Sequence, residues 1–310
     1  MNRGIIHFLS METAIVSVNG VSKSFGQKKV LDSIDWTLDA GTVYGLVGLN
    51  GAGKTTLIRL LLGLLKPDTG SIDVLGSNPW RHEPSYYTAV GAVLEHDGFR
   101  GNCTFDENIR FFAQARGLSP KDLSAYLDEV WETAHFRDGT KKVKHFSRGE
   151  RMQCALCRAF LGWPKVCFLD EPTVALDMDA FDHFCSLVTG AKQRGATILI
   201  SSHHIEAVEV LCDRIAVLKD SKLTDISEPV KKAHQWILRT DGNPEYGETI
   251  HRITGTKPSY RNGRWHFIPA NPDREIPALV CRLVAQGCSV HEIKCLDTAF
   301  RESVKKAFEG

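Results

Sequence analysis

The stretch Gly48-Leu49-Asn50-Gly51-Ala52-Gly53-Lys54-Thr55 constrains this chain more than any other. An apolar run with strand character, Val43 to Val47, leads into it, and Thr56 to Leu62 follows with the character of a helix. A glycine-rich turn between a strand and a helix is a phosphate cradle. Gly48, Gly51 and Gly53 free the backbone to aim N–H groups inward, and the helix start adds its positive end to the same spot. In this spacing Lys54 supplies charge for β- and γ-phosphates, and the Thr55 hydroxyl can ligate Mg²⁺.

A second stretch points to the same chemistry. Val166-Cys167-Phe168-Leu169 reads as a strand buried on both faces, with Asp170 and Glu171 at its C-terminal end. Open α/β sheets place their ligands at that end. Asp170 suits a metal held through water, and Glu171 suits a water aimed at a γ-phosphate. Thr197 to Ile200 is a further buried strand, ending in Ser201-Ser202-His203-His204. His203 reads either as a sensor of phosphate or as a neutral capping residue.

The bulk numbers narrow the class. A chain of 310 residues exceeds one ordinary core, so two domains are predicted. The net charge of +1 gives no bulk attraction to nucleic acid. Ile58 to Leu65 is the longest apolar candidate and Arg59 interrupts it, so any membrane work needs another chain to do the spanning. Nine cysteines, an odd count scattered along the chain, argue against a disulfide scaffold and for a reducing compartment. Cys154 and Cys157 form a C-x-x-C with no second pair at zinc spacing; they read as small buried hydrophobes on a helix.

Along the chain, residues 1–13 read as an extension, and Ala14 to Val18 and Ile34 to Leu38 as alternating strands. Ser71 to Leu75 and Ala89 to Leu94 are further strands. Thr104 to Leu161 is largely helical, interrupted by the basic run Lys141 to His145. That run is either a solvated loop or a source of positive potential beside a phosphate. From Asp220 onward aromatic and turn residues mix. Gln235–Thr240, Trp265–Ile268 and Ser289–Ile293 are predicted strands; Ile276–Ala285 and Thr298–Phe308 are predicted helices of a small α+β accessory domain.

The phosphate loop, Phe146-Ser147-Arg148-Gly149-Glu150, Phe168 to Glu171, Leu176-Asp177 and His203 occur in one order. That order resembles the ATP-binding subunit of ABC transporters over residues 14–220, and in particular bacterial exporter subunits of the multidrug, bacitracin and sodium sort. The resemblance implies an α/β fold: a P-loop NTPase core with an antiparallel β subdomain and a helical subdomain near 98–161. The accessory domain, 221–310, would follow it. It implies ATP and Mg²⁺ as cofactors, with Glu171, His203 and Lys54 in catalysis and Thr55, Glu95 and Asp170 at the metal. ATP would be bound by Phe25, which stacks on adenine, by Gly48, Leu49, Asn50, Gly51, Ala52, Gly53, Lys54, Thr55 and Thr56, and by Ser147, Arg148, Gly149, Glu150 and Asp177. Without the resemblance Phe25 reads equally as a core side chain. Two departures stand out. Glu95 replaces the usual glutamine, and Arg148 and Glu150 replace a glycine and a glutamine; Arg148 could fork onto phosphate or face solvent.

In this family one nucleotide is gripped by the phosphate loop of one subunit and the Ser147-type loop of another. The resemblance therefore implies a head-to-tail dimer, most simply of two copies. It also implies a separate membrane-spanning permease, with this subunit peripheral on the inner face of the cell membrane and no nucleic-acid partner. ATP would drive dimer closure and power export. The alternatives are a soluble ATPase switch acting on ribosomes or DNA, and a weakly active regulatory subunit.

Overall fold

The computed structural model describes residues 14–131, 141–174, 176–203, 208, 211–226, 235–269 and 271–296. The extension 1–13 and the helix expected over Thr298–Phe308 lie outside them. The chain forms two compact units that divide between Pro229 and Val230.

The first unit opens with two twelve-residue strands, β1 (Ala14–Phe25) and β2 (Lys28–Asp39), paired antiparallel. The expected short strand at Ala14–Val18 thus runs on to Phe25. Register shifts near Gly20 bend it without ending it. β4 (Thr69–Val74) joins the other edge of β1, giving a three-stranded sheet.

A six-stranded sheet carries the rest, in the order β5-β6-β7-β3-β8-β9. It comprises β3 (Val43–Val47), β5 (Val90–Val93), β6 (Val166–Asp170), β7 (Thr197–Ser202), β8 (Arg214–Lys219) and β9 (Lys222–Ile226). All but β9 run parallel. Every residue of β3, β6 and β7 is buried, as expected for parallel strands covered on both faces. Helix α1 (Lys54–Leu61) leaves the loop after β3 and packs Leu57, Ile58, Leu60 and Leu61 into a core shared by both sheets, with Val18, Leu31, Trp36, Leu46 and Phe168.

Between β4 and β6 come α2 (Pro84–Ala89), β5 and the helices α3 (Phe105–Ala115), α4 (Pro120–Trp131) and α5 (Arg148–Phe160). Both α3 and α5 begin in capping boxes, Thr104 with Glu107 and Ser147 with Glu150. Two part-buried guanidinium groups, at the end of α3 and within α5, fasten those helices to the β5 region. Arg116 donates to the carbonyls of Leu161 and Val90, and Arg158 to those of Asp97 and Ala92. α6 (Met178–Gln193) then crosses from β6 to β7.

The β8–β9 hairpin moves the expected boundary. Asp220 and Ser221 both take positive φ, 48° and 64°, and turn the chain tightly without glycine. The sheet therefore continues to Ile226, six residues past the composition change at 220.

The second unit runs β10 (Gln235–Arg239), α7 (Tyr246–Thr254), β11 (Ser259–Arg261), β12 (Arg264–Phe267), α8 (Pro272–Ala285) and β13 (Glu292–Leu296). Its antiparallel sheet has the order β11-β12-β10-β13, a split β-α-β arrangement. Leu238, Trp265 and Phe267 pack with Tyr246, Ile250, Leu279 and Leu283 in a core of their own. Asn271-Pro272, which reads as a turn, is instead the N-cap and first residue of α8, so that helix starts four residues before Ile276. The last strand is shifted from Ser289–Ile293 to Glu292–Leu296, the residues that pair with β10.

Candidate ATP-binding and hydrolysis site

β3, β7 and β6 lie side by side, and their C-terminal ends form one platform. Asp170 is directly opposite Ser201, and Val47 opposite Ser202. The phosphate loop leaves β3 at that edge. Gly51 and Gly53 take φ of 80° and 111°, which side chains rarely adopt. Gly48 is needed for a different reason: its φ is ordinary, but a Cβ there would stand 2.6 Å from the Leu218 carbonyl of β8. Gly53 is the N-cap of α1, and the open N-terminus of that helix points into the loop.

Lys54 is 5% exposed. Its ammonium donates to the carbonyls of Gly48 (2.7 Å) and Leu49 (3.3 Å) and lies 3.2 Å from Glu171 Oε1. The other Glu171 oxygen is 2.7 Å from His203 Nδ1. Glu171 thus joins the loop lysine to the histidine that follows β7. Its φ of 49° lies in the left-handed region, a strained backbone of the kind stored at working sites.

Asp170 is engaged on both oxygens. Thr55 Oγ1 donates to Oδ2 at 2.6 Å, and Ser201 Oγ donates to Oδ1 at 2.6 Å. Ser201 also accepts the Glu171 N–H at 2.9 Å. This fully buried serine, which the sequence reading left without a role, holds both acids. Only the β6–β7 register reveals it.

A cavity of about 420 Å³ opens on these groups, lined among others by Asn50, Thr55, Glu95, Arg148, Asp170, Glu171 and His203. An adjoining cavity of about 380 Å³ is lined by Phe25, Lys28, Val30, residues Asn50 to Thr56 and Glu171. Phe25 is 52% exposed at the end of β1, with the Lys23 ammonium 5.7 Å from its ring centre, so it is an exposed aromatic in the cavity that the loop lines and not a core side chain. Leu49, within the loop, is also exposed, but it lines neither cavity.

Other predicted site residues lie elsewhere. Ser147, Gly149, Glu150 and Asp177 are not among those lining either cavity. Ser147 caps α5, accepting the Glu150 N–H at 3.1 Å, and Glu150 returns the bond by accepting the Ser147 N–H at 2.6 Å. Asp177 caps α6 through the Ala180 N–H at 2.8 Å. Glu95 does line the larger cavity, exposed on a loop anchored to α5: Asp97 Oδ2 accepts from Arg151 Nε at 2.7 Å, and the Asp97 carbonyl accepts from Arg158.

Thr55 and Asp170 bring a hydroxyl and a carboxylate together, a hard all-oxygen set that fits Mg²⁺ completed by water and phosphate. Among the described residues no three His, Cys, Asp or Glu side chains cluster to hold an ion unaided. Cys154 and Cys157 are buried in α5, and burial pushes the Cys157 thiol up to about 12 and Cys154 higher still, as expected of hydrophobes in a core.

A family model described as ABC transporter matches residues 31–174. The bacitracin transport ATP-binding protein BcrA of Bacillus licheniformis is 35% identical over 215 residues, 69% of this chain and 69% of that protein. The Nod factor export ATP-binding protein I of Burkholderia lata is 35% identical, over 68% of this chain and 70% of its own length. The ABC transporter ATP-binding protein YdbJ of Bacillus subtilis (strain 168) is 30% identical over 96% of this chain and 95% of itself, so its likeness extends into the second unit. A solved structure titled as the ATP-binding subunit of an ABC transporter superposes with a TM-score of 0.65 at 23% identity, covering 87% of this chain and 99% of that one. A fold, a nucleotide cradle and identity sustained over two thirds of such relatives make this chain a member of the ABC transporter ATP-binding family.

Proposed function

We propose that this ATPase subunit binds MgATP between two copies of itself and passes their closure to a separate membrane permease, powering export. The observation that carries the reading is the set of contacts across β3, β6 and β7: Thr55 on Asp170, and Glu171 between Lys54 and His203. Each belongs to one step of phosphoryl transfer. The loop N–H groups and α1 receive the phosphates, and Phe25 offers its face to the base. Thr55 and Asp170 would hold Mg²⁺, which would supply positive charge to the phosphates. A γ-phosphate competes with Glu171 for Lys54. Once Lys54 turns to phosphate, Glu171 keeps His203 as its partner and orients a water for attack on phosphorus. Glu171 takes the proton, the bond to the β-phosphate oxygen breaks, and Lys54 and His203 balance the charge that develops.

The reading of two copies follows the family resemblance and is supported by Ser147 and Gly149 at the α5 N-terminus, which line neither cavity, although Arg148 between them lines the larger one. There the free N–H groups of the helix start suit a phosphate presented by a partner. Export is supported by relatives named for Nod factor export and bacitracin transport. Among the described residues no helix is long and apolar enough to cross a membrane; the separate permease, and membrane association through it, is the partner the family resemblance implies. The loop bearing Glu95 is pinned to α5 by Asp97 and Arg151 and is suited to couple that permease to the α5 N-terminus.

Replacing Glu171 by Gln tests the assignment. Phosphate release by the purified protein should fall by about 10³-fold, the scale of a lost general base, while ATP binding persists. Undiminished release would refute the role.

A further inference from the structure

We propose that Lys141 is a positioning residue of the reaction: it neutralises Glu150 so that the α5 N-terminus can receive a triphosphate. The inference rests on the two-copy reading above.

The problem it solves is electrostatic. An α-helix N-terminus attracts anions through its free N–H groups. Here the third residue of α5 is a glutamate, one turn from the Ser147 cap. A free carboxylate there would oppose the incoming phosphates. Where the family resembled by this chain has glutamine, no such charge arises.

The structure supplies the counter-charge. Lys141 Nζ reaches both carboxylate oxygens of Glu150, at 2.7 and 3.0 Å. One of those oxygens also accepts the Ser147 N–H at 2.6 Å. Glu150 is thereby folded back onto its own cap with both oxygens bonded. Lys141 and the Ser147 N–H together hold its carboxyl below the usual range, so it stays ionised and paired. The pair is about two-thirds shielded, with side-chain exposures of 32% and 28%, which limits screening by solvent.

Lys141 is itself held in place. Its ammonium stands 5.2 Å from the centre of the Phe146 ring. The backbone beyond it is stitched to the loop before α3: the Val143 N–H donates to the Cys103 carbonyl at 3.0 Å, and the Lys144 N–H to that of Gly101 at 2.9 Å. The basic residue and the acid that needs it lie nine positions apart but arrive at one helix end. The rest of the basic run makes no such contact with Glu150: Lys144 bonds Asn102 instead.

The charge argument separates cleanly from a tether argument. Glutamine at 150 preserves the capping box, because its side-chain oxygen still accepts the Ser147 N–H, but it removes the charge. If Lys141 acts as a counter-charge, glutamine at 150 makes it dispensable. If the ion pair only ties the loop down, Glu150→Gln is as harmful as loss of Lys141, and the two together are no better.

The test uses the full chain and steady-state phosphate release with MgATP. Lys141→Met should lower kcat/KM about tenfold, or about 1.4 kcal/mol, while binding of a fluorescent ATP analogue to the phosphate loop is unchanged. Lys141→Arg should retain at least a third of native kcat/KM. Adding Glu150→Gln to Lys141→Met should bring kcat/KM back to within about twofold of native. Native kcat/KM in Lys141→Met, or a double variant as slow as Lys141→Met, would overturn the proposal. The underlying reading fails differently: if MgATP does not pair Glu171→Gln molecules, two-copy binding falls and this role with it. If they pair but the double variant is not rescued, only the role of Lys141 falls.

Discussion

Ser201 carries two bonds that no neighbour can replace, and Ser201→Ala removes both. Its hydroxyl donates to the Asp170 carboxylate at 2.6 Å and accepts the Glu171 N–H at 2.9 Å, with no exposure to water. A bond to an ionised group contributes about 1.5–3 kcal/mol and a neutral one about 1 kcal/mol. The substitution deletes one oxygen and almost no apolar surface, so the cavity contribution is small. The expected loss is about 3 kcal/mol, and for a unit of this size that is a fall of roughly 6–12 °C in Tm. Thermal melts followed by circular dichroism read it directly. Ser186→Ala is the control, since that hydroxyl bonds only its own helix at the Asp182 carbonyl and should cost less than about 0.5 kcal/mol. Kinetics give the second readout: with one Asp170 oxygen released, KM for MgATP should rise and kcat should fall. A Tm within 2 °C of native together with unchanged kcat and KM would show that strand pairing alone positions the two acids, and the role given to Ser201 would be wrong.

Two further outcomes follow from burial and charge. Iodoacetamide at neutral pH should label the exposed Cys281 readily and leave Cys154, Cys157, Cys167 and Cys212 unmodified in the folded protein, because burial raises all four thiols; mass spectrometry of peptides reads the sites. The carboxyls of Glu150, Asp68 and Asp32 are held low by Lys141, by Lys23 and by Lys222 with Lys29. A depressed folded value contributes stability that is present above the ordinary carboxylate range and lost as pH falls through the depressed value. Urea midpoints should therefore hold steady from pH 7 to about pH 5 and drop below about pH 4. Glu150→Gln should flatten that drop; an unchanged slope would show that the pair does not contribute.

What could be read from the sequence and what could not follows from the range of the interactions. The phosphate loop is local: eight consecutive residues dictate the turn, and its strand and helix flank it directly. The same holds for Asp170 and Glu171, which inherit their place from a strand that is apolar throughout. Ser201 was not legible because its meaning lies in a pairing across β6 and β7, 31 residues from Asp170. The Lys141–Glu150 pair was hidden in the same way: the basic run reads as a solvated loop or as positive potential beside a phosphate, and neither reading names Glu150 as the partner. Asp220-Ser221 concealed a hairpin because neither residue is a glycine, so the sheet seemed to stop at the change in composition. In the second unit, Asn271-Pro272 is equally good turn and helix-start chemistry, and only packing of Leu279 and Leu283 into the core decides between them. Gly48 was assigned to backbone freedom, whereas the crowding that demands it comes from β8, some 170 residues away.

The central claim is that MgATP is held between two copies of this chain. Light scattering on Glu171→Gln, with and without millimolar MgATP, tests it most directly. The account predicts that the measured mass doubles with MgATP, and that Lys54→Ala in the same background abolishes the doubling. A mass that stays at one chain while the nucleotide is shown to be bound would contradict it.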